Sequence, residues 1–409
     1  MSGKANFDHA SATPVPPEVV EAMLPFFTDK FGNPQSVHSL GHEPAAAVET
    51  ARTQVAALVN VRPQSVVFTA SASEANNLAI RGLALGAGKK GKHVVASSIE
   101  HLSVLNPARS LRSLGFELTE LPVDKYGRVD PGQLEQSLRP DTVLVSVQHA
   151  SPEIGTVQDL AALSSVCRRH KVILHSDGTA AVGRMPVSIP DLGVDAYSFA
   201  AQSFYGPKGA AALYLAPGLK AAPLIEGGIQ EKGRRAGTEN VPAIVGMGKA
   251  AQIARAQVGE WQAHLDKLGR RLLAELPRRL EHVVMTGHPF ERLPGHASVC
   301  VEFVEGEGML LFLDDSGFAA ASGSACTAKT LKASHVLLAI GLSHAVAQTS
   351  LVLTLGKDST EEQVAEFLSV LPPIVARLRA MSPLYARLLK GEDPYAGTAC
   401  DDHHHEEDN

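Results

Sequence analysis

Cysteine is scarce in this sequence, and its few cysteines show no pairing pattern. The 409 residues include four, which are Cys167, Cys300, Cys326 and Cys400. No two of them have the Cys-x-x-Cys spacing, which excludes a disulfide framework and a structural zinc site of the usual ligand spacing. The first residues lack the pattern of a secretory signal, so we expect a cytoplasmic protein with reduced thiols. An exposed cysteine would then be a candidate for chemistry.

Long apolar runs and an excess of positive charge are also missing. The longest apolar runs, such as residues 210–216, fall far short of the roughly 20 residues of a membrane span. Lysine and arginine number 37 against 43 acidic residues, a formal net charge of −6, which argues against a generally basic nucleic-acid-binding surface. We therefore expect neither a membrane nor a nucleic acid as partner. The 44% of apolar and 20% of charged residues are typical of a globular protein.

The amino-terminal half alternates short apolar runs with longer segments of helical spacing. The runs at residues 65–69, 93–97, 142–147 and 172–175 read as strands. Short strands separated by helices of about 10–15 residues indicate a parallel α/β sheet that is buried on both faces. This pattern extends to about residue 215.

The carboxy-terminal part has a different organisation. Residues 242–279 form a helix-rich connector with two predicted helices, and strand-like and helical pieces follow. We predict a large α/β domain over residues 15–259 and a small α+β domain from residues 1–14 and 260–395. The polar tail, residues 396–409, is predicted to be disordered. Its histidines, acids and Cys400 could bind a soft or borderline metal, or form only a solvated acidic tail.

Eight short segments together resemble one family. They occur in this order: 6–13, 32–36, 69–77, 99–101, 175–177, 205–209, 235–240 and 322–326. The set resembles the cysteine desulfurases of the NifS/IscS type, which are class-V, fold-type I pyridoxal-phosphate (PLP) proteins, from residue 6 to about 395. The resemblance implies a mostly parallel sheet in the large domain, a smaller α+β domain and a symmetric homodimer. It also implies PLP as an electron sink on L-cysteine and a loop cysteine that takes the sulfur as persulfide.

Two residues match the family's catalytic positions. Cys326 matches the persulfide cysteine, and its neighbours in residues 322–327 are small, as a carrier loop requires. It is also a candidate ligand for a shared iron–sulfur cluster. His101 matches the histidine that stacks on the PLP ring and helps to move protons. The alternatives are a buried packing cysteine, as expected for Cys167 and Cys300, and a structural histidine.

Five residues match the family's cofactor-binding positions. Asp177 matches the aspartate that pairs with the pyridine nitrogen, although a strand-end turn would also explain it. Ser71, Ala72 and Ser73 precede a helix, where backbone N–H groups could hold the phosphate; Ser73 is also a candidate N-cap. Thr238 matches a threonine that reaches the phosphate across the dimer interface.

Other positions depart from the family's pattern. The lysine that forms the Schiff base is replaced by Ser203, whose hydroxyl cannot form an imine or act as a general base. Five further departures are Gln202 for the adjacent histidine, Ala200 for a phosphate-binding serine, Ser151 for the asparagine at the PLP hydroxyl, Ala180 for a glutamine, and Val352 for the arginine that binds the substrate carboxylate. Valine cannot replace a bidentate arginine–carboxylate pair.

These departures lead to two functional hypotheses. The first is a cysteine desulfurase-like protein of iron–sulfur cluster assembly in which PLP is absent or bound non-covalently. It would relay sulfur or hold a cluster through Cys326 together with a scaffold protein of the IscU type. The alternative is an active PLP-dependent cysteine desulfurase that converts L-cysteine to L-alanine and an enzyme persulfide. Residues 381–393 resemble the segment with which these enzymes hold the scaffold, or form an ordinary surface helix. Whether the chain is an enzyme, and what supplies its sulfur, stays open at this point.

Overall fold

The structure, a computed structural model, describes residues 4–323 and 333–395. Its strands are β1 (Ala5–Asn6), β2 (Val66–Thr69), β3 (His93–Ser97), β4 (Glu117–Leu121), β5 (Thr142–Ser146), β6 (Ile173–Asp177), β7 (Ala196–Ala200), β8 (Ala211–Leu215), β9 (Val283–Met285), β10 (His296–Val301), β11 (Phe318–Ala319) and β12 (Ser350–Thr354).

The α-helices of the described residues connect and cover these strands. They are α1 (Pro17–Met23), α2 (Pro25–Thr28), α3 (Ser39–Leu58), α4 (Ala72–Asn77), α5 (Leu83–Gly86), α6 (Leu102–Ser110), α7 (Pro131–Ser137), α8 (Leu160–His170), α9 (Ile189–Leu192), α10 (Gln230–Gly233), α11 (Val241–Arg279), α12 (Gly306–Asp315), α13 (His335–Ala339), α14 (His344–Ala347), α15 (Glu361–Ala380) and α16 (Pro383–Leu389). A π-helical turn, Leu78–Gly82, joins α4 to α5.

The central sheet has seven strands in the order β2-β8-β7-β6-β5-β3-β4. Strand β8 runs antiparallel to both of its neighbours, and the other pairs are parallel. All residues of β3, β5 and β7 are buried, which explains their continuous apolar character. The predicted mixed α/β architecture with a mostly parallel sheet is confirmed. The carboxyl ends of the parallel strands meet at one edge, where Asp177 and His101 follow or end their strands.

A second core surrounds the antiparallel sheet β12-β10-β9. Phe7, Phe318 and Phe367 pack there with ring centroids 5.2–5.6 Å apart. Helix α11, predicted as two helices, is one helix of 39 residues. Trp261 belongs to the core around the seven-stranded sheet, and Leu265 onward belongs to the second core. The predicted boundary at residues 259 and 260 thus falls inside this helix, and the domain division stays a prediction.

Across the described ranges, no helix is both long and apolar enough to cross a membrane.

Candidate active site

The carboxylate of Asp177 lies at the end of β6 and is held on both oxygens. Its Oδ1 accepts a hydrogen bond from the backbone N–H of Thr179 at 2.9 Å, and its Oδ2 accepts one from Asn76 Nδ2 at 2.7 Å. The first contact is the strand-end turn that the sequence offered as the alternative role. The second contact joins the sheet edge to α4 and fixes the carboxylate in a nearly buried position.

A short hydrogen-bonded chain connects Asp177 to His101. The same Asn76 amide donates to Ser103 Oγ at 2.8 Å, and Ser103 Oγ lies 2.7 Å from His101 Nδ1. His101 is exposed and caps α6, because its Nδ1 accepts from the backbone N–H of Ser103 at 3.1 Å. An acceptor at Nδ1 assigns the imidazole proton to Nε2. His101 therefore has the structural role predicted as the alternative, and its catalytic role stays a prediction.

The start of α4 is the segment for which the sequence predicts a phosphate cradle, and its N-cap differs from the predicted one. Ser71, not Ser73, is the N-cap, and its Oγ accepts from the backbone N–H of Glu74 at 3.1 Å. Because Ala72 and Ser73 are the first residues of the helix, their N–H groups have no acceptor within it. The Glu74 carboxylate also accepts from the backbone N–H of Ala70. The observed N-cap differs from the predicted Ser73 because Ser71 has the extended backbone that an N-cap requires.

Thr238 lies in an exposed segment held by two ion pairs, one to Glu74 of α4 and one to Arg52 of α3. Arg235 Nε lies 2.9 Å from Glu74 Oε1. Earlier in the same segment, Glu231 forms a buried bidentate pair with Arg52, with both contacts at 2.7 Å. Thr238 is exposed, and its segment is anchored by these ion pairs to α3 and α4.

Residues 200–203, which are predicted to replace the Schiff-base region, lie in a buried strand end and the turn that follows it. Ala200 is fully buried at the end of β7, and Gln202 and Ser203 follow in a 3₁₀ turn. The carbonyl of Gln202 accepts from Thr13 Oγ1 at 2.8 Å. The turn after β7 is thus well anchored, but its Ser203 hydroxyl supplies no amine.

The other replaced residues have local structural roles. Ser151 is fully buried, and its Oγ accepts from the backbone N–H groups of Glu153 and Ile154 at 3.3 Å. Val352 is 4% exposed and pairs through its backbone with Ala321. Ala180 packs against the large core. The Ser151 oxygen accepts within its own turn, and the Val352 side chain offers a carboxylate no hydrogen-bond donor.

Two buried polar residues at this edge were not singled out from the sequence. Asn76 lies in the quoted segment 69–77 and Glu100 in 99–101, but only their neighbours were assigned roles. Burial raises the pKa of Glu100 to about 8, against hydrogen bonds from Ser97 and the backbone of Gln148. A pairing of Asn76 with a carboxylate 101 residues away could not be read from spacing.

Two of the four cysteines lie among the residues that the structure describes. Cys167 and Cys300 are buried, as predicted, and burial raises the pKa of each thiol to about 12. Cys326 and the tail with Cys400 lie outside the described residues, so their proposed roles stay predictions. Within residues 4–323 and 333–395, no cluster of three metal-ligating side chains occurs.

The residues present fit the non-covalent contacts of PLP but not its covalent one. Near Asp177, the buried atoms Asn76 Oδ1 and Thr179 Oγ1 have no hydrogen-bond partner among the described residues, as expected where a polar ligand would complete the site. The carboxylate and the helix start match a pyridine nitrogen and a phosphate. Ser203 does not match an aldehyde that needs an amine.

Comparison with known proteins places this geometry in a family. The Aminotransferase class-V family matches residues 5–367, and the chain belongs to that family, which is PLP-dependent. Cysteine desulfurase IscS 1 of Archaeoglobus fulgidus is 48% identical over 93% of this chain and 99% of its own length. The chain is thus a homologue of the IscS/NifS cysteine desulfurases, and the predicted family is confirmed.

Solved structures agree with the fold. A NifS-like protein superposes with a TM-score of 0.86 at 33% identity, over 92% of this chain and all of that one. The structure titled SspA in complex with cysteine gives a TM-score of 0.75 at 33% identity, over 87% of this chain and all of that one. The predicted fold-type I architecture is confirmed. The relatives' names favour the active desulfurase, the alternative hypothesis, over a PLP-deficient protein.

Proposed function

We propose that this chain is a cysteine desulfurase-type protein of iron–sulfur cluster assembly that handles sulfur through Cys326. The observation that carries the proposal is the fixed chain of contacts from Asp177 through Asn76 and Ser103 to His101. It keeps a carboxylate and an imidazole at the sheet edge where the family places its chemistry. The cytoplasm, with its reduced thiols, is the proposed location.

As an active enzyme, the chain would use these groups on L-cysteine. PLP, when bound, supplies an electron sink for the bonds of the substrate's α-carbon. Asp177 would face the pyridine nitrogen, and the first N–H groups of α4 with Thr238 of a second copy would hold the phosphate. His101 Nε2 would carry a proton, and the Cys326 thiolate would take the sulfur. The relatives' names and the cysteine complex of SspA support this form.

A second candidate form is a PLP-deficient sulfur or cluster relay. Ser203 supports it, because this turn presents a hydroxyl where an active enzyme needs an amine. Val352 adds to it, since a buried valine cannot grip the substrate carboxylate. In this form Cys326 would receive sulfur made elsewhere or bind a cluster shared with a scaffold protein of the IscU type.

One experiment separates the two forms. The purified protein is supplied with PLP, L-cysteine and a reductant, and L-alanine and sulfide are measured with Cys326→Ala as control. An active enzyme gives both products and a band at roughly 390–420 nm, where an aldehyde bound to an amine absorbs. A relay gives neither, but takes up persulfide on Cys326 from an active desulfurase. Loss of both activities would contradict the proposed function itself.

The proposed partners are a second copy and a scaffold protein. Gln35 Nε2 donates to Glu239 at 2.7 Å, next to Thr238. Nearby in sequence, Val37 and Ile229 are 93% and 82% exposed, and apolar surface of this kind supports a homodimer. Helix α16, within residues 381–393, is short and carries the exposed Leu389, which supports scaffold binding. Light scattering that gives a monomer at micromolar concentration would contradict the dimer.

A further inference from the structure

Residues 97–100 form the turn that leads from the end of β3 to His101 at the start of α6. Ser97 and Glu100 close this turn with two hydrogen bonds. The backbone N–H of Glu100 donates to the carbonyl of Ser97 at 3.3 Å, and Ser97 Oγ donates to Glu100 Oε1 at 2.5 Å. Both residues are fully buried, so the Glu100 side chain lies inside the sheet edge, while His101, the next residue, is exposed.

Gln148, which follows β5, binds the same turn at two points. Its backbone N–H donates to Glu100 Oε1 at 2.7 Å, and its side-chain Nε2 donates to the carbonyl of Ile99 at 2.8 Å. Gln148 is also buried, and hydrogen bonds that are shielded from water are stronger than exposed ones. The Glu100 carboxyl thus joins the ends of β3 and β5, which are neighbours in the sheet.

Helix α13 contacts the turn as well. Nε2 of His335, the first residue of this helix, lies 2.9 Å from the carbonyl oxygen of Glu100. Because a carbonyl oxygen only accepts, this contact assigns the imidazole proton of His335 to Nε2. Ile99 packs in one buried cluster with Val336 of the same helix. The carbonyls of both residues before His101 are therefore bonded, and the chain enters α6 from a fixed turn.

We propose that Glu100 is a positioning residue for His101, because its carboxyl and its carbonyl join β3, the chain after β5 and α13 directly before the imidazole. The inference rests on the proposed function, in which His101 Nε2 carries a proton. His101 is the N-cap of α6 and has an extended backbone, so the direction of its side chain depends on the turn that precedes it. Glu100 acts through that turn and not on the reacting atoms.

The charge state of Glu100 suits this role. Burial, and to a smaller extent the charge of Asp177, raises the pKa of Glu100 to about 8 against the hydrogen bonds from Ser97 and Gln148, so the carboxyl is mostly neutral at pH 7. Oε1 accepts both hydrogen bonds, whereas Oε2 is buried without a partner among the described residues, which assigns the proton to Oε2. A glutamine whose amide oxygen takes the place of Oε1 would therefore accept the same two hydrogen bonds.

The test compares the reactivity of His101 in the wild type, Glu100→Gln and Glu100→Leu, with no PLP or cysteine added. Diethyl pyrocarbonate modifies exposed imidazoles, and mass spectrometry times the modification of His101 at pH 7 relative to that of the exposed His38. We expect Glu100→Gln to react within about twofold of wild type, because its amide oxygen still accepts. Glu100→Leu leaves two buried donors unpaired, so the turn should open, release His101 Nδ1 from Ser103 and raise the rate by about fivefold or more.

Two further variants separate positioning from a general loss of stability. Thr142→Val removes a buried hydrogen bond to His93 at the opposite end of β3 and should leave the His101 rate unchanged. Ser97→Ala removes one of the two hydrogen bonds to the carboxyl, so its rate should lie between those of Glu100→Gln and Glu100→Leu, and it replaces the leucine variant if that protein does not fold.

Three results would overturn the proposal. They are a His101 rate that equals the wild-type rate in both Glu100→Leu and Ser97→Ala, a rise that Thr142→Val shares, and a rise in Glu100→Gln as large as that in Glu100→Leu. None of these measurements needs sulfur transfer or a bound cofactor, so a failure here is distinct from a failure of the proposed function.

Discussion

Two parts of the candidate site differ in what they retain. At the end of β6, Asp177 keeps a full set of polar partners that reach from Thr179 to His101. At the turn after β7, the backbone is equally well anchored through Thr13, yet Ser203 and Gln202 lack the chemistry of the family's residues. The difference teaches that backbone contacts and reactive groups are separable, since a turn can keep its fold while its side chains change.

The largest expected effect comes from returning an amine to the turn after β7. If that turn alone prevents covalent attachment, Ser203→Lys incubated with PLP should gain absorbance at roughly 390–420 nm at near one cofactor per chain. Activity should stay low, because Val352 still cannot bind the substrate carboxylate. If the wild-type protein already has this band after dialysis, the turn after β7 does not prevent covalent attachment, and this prediction is wrong.

The next effect tests how tightly the Asp177 edge is packed. A Cβ atom on Gly178 would lie 1.9–2.1 Å from the ring and hydroxyl of the buried Tyr197. We expect Gly178→Ala to lower the free energy of unfolding by about 2–3 kcal/mol, measured by urea denaturation. Gly259→Ala is the matched control, because that helical glycine has open space around its Cβ position and should gain stability. Equal stabilities would show that the edge is loosely packed.

A smaller effect is expected from cutting the chain of contacts. Asn76→Ala leaves Asp177 Oδ2 and Ser103 Oγ without their shared donor, so stability should fall by about 1–3 kcal/mol. Asn77→Ala, which removes a bond to the carbonyl of Ser73 on an exposed part of the same helix, should cost less. Thermal denaturation of both variants measures the difference, and a larger loss in Asn77→Ala would contradict the role given to Asn76.

The last prediction concerns how the free energy of unfolding depends on pH. Burial raises the pKa of Glu100 to about 8, so the folded protein keeps a proton that the unfolded chain has lost above about pH 4.5. This contribution to stability is complete at lower pH and is lost as the pH rises through 8. The free energy of unfolding from urea denaturation between pH 5 and 8 should therefore fall less steeply in Glu100→Gln than in wild type, by under about 1.4 kcal/mol per pH unit. Parallel curves would mean that Glu100 is ionised in the fold.

The sequence allowed the fold to be predicted and several candidate site residues to be proposed, for physical reasons. Buried parallel strands are continuous apolar runs, so β3 and β5 were evident, whereas β4 has partly exposed residues and was missed. Ser71 and His101 lie within short motifs, so roles could be proposed for them from the sequence, and these roles stay predictions. The partner of Asp177 is Asn76 of α4, which lies 101 residues away along the chain. Such pairings depend on chain crossings that local spacing does not encode.

Helix α11 has a mechanical consequence. At about 1.5 Å per residue, its 39 residues make a rod of about 58 Å, and each core holds one part of it. The helix is continuous between Trp261 and Leu265. Rotating one core relative to the other would therefore bend the helix or expose apolar side chains that are now buried. One continuous helix therefore connects the two cores, with no hinge between them. We expect both cores to unfold in a single thermal transition.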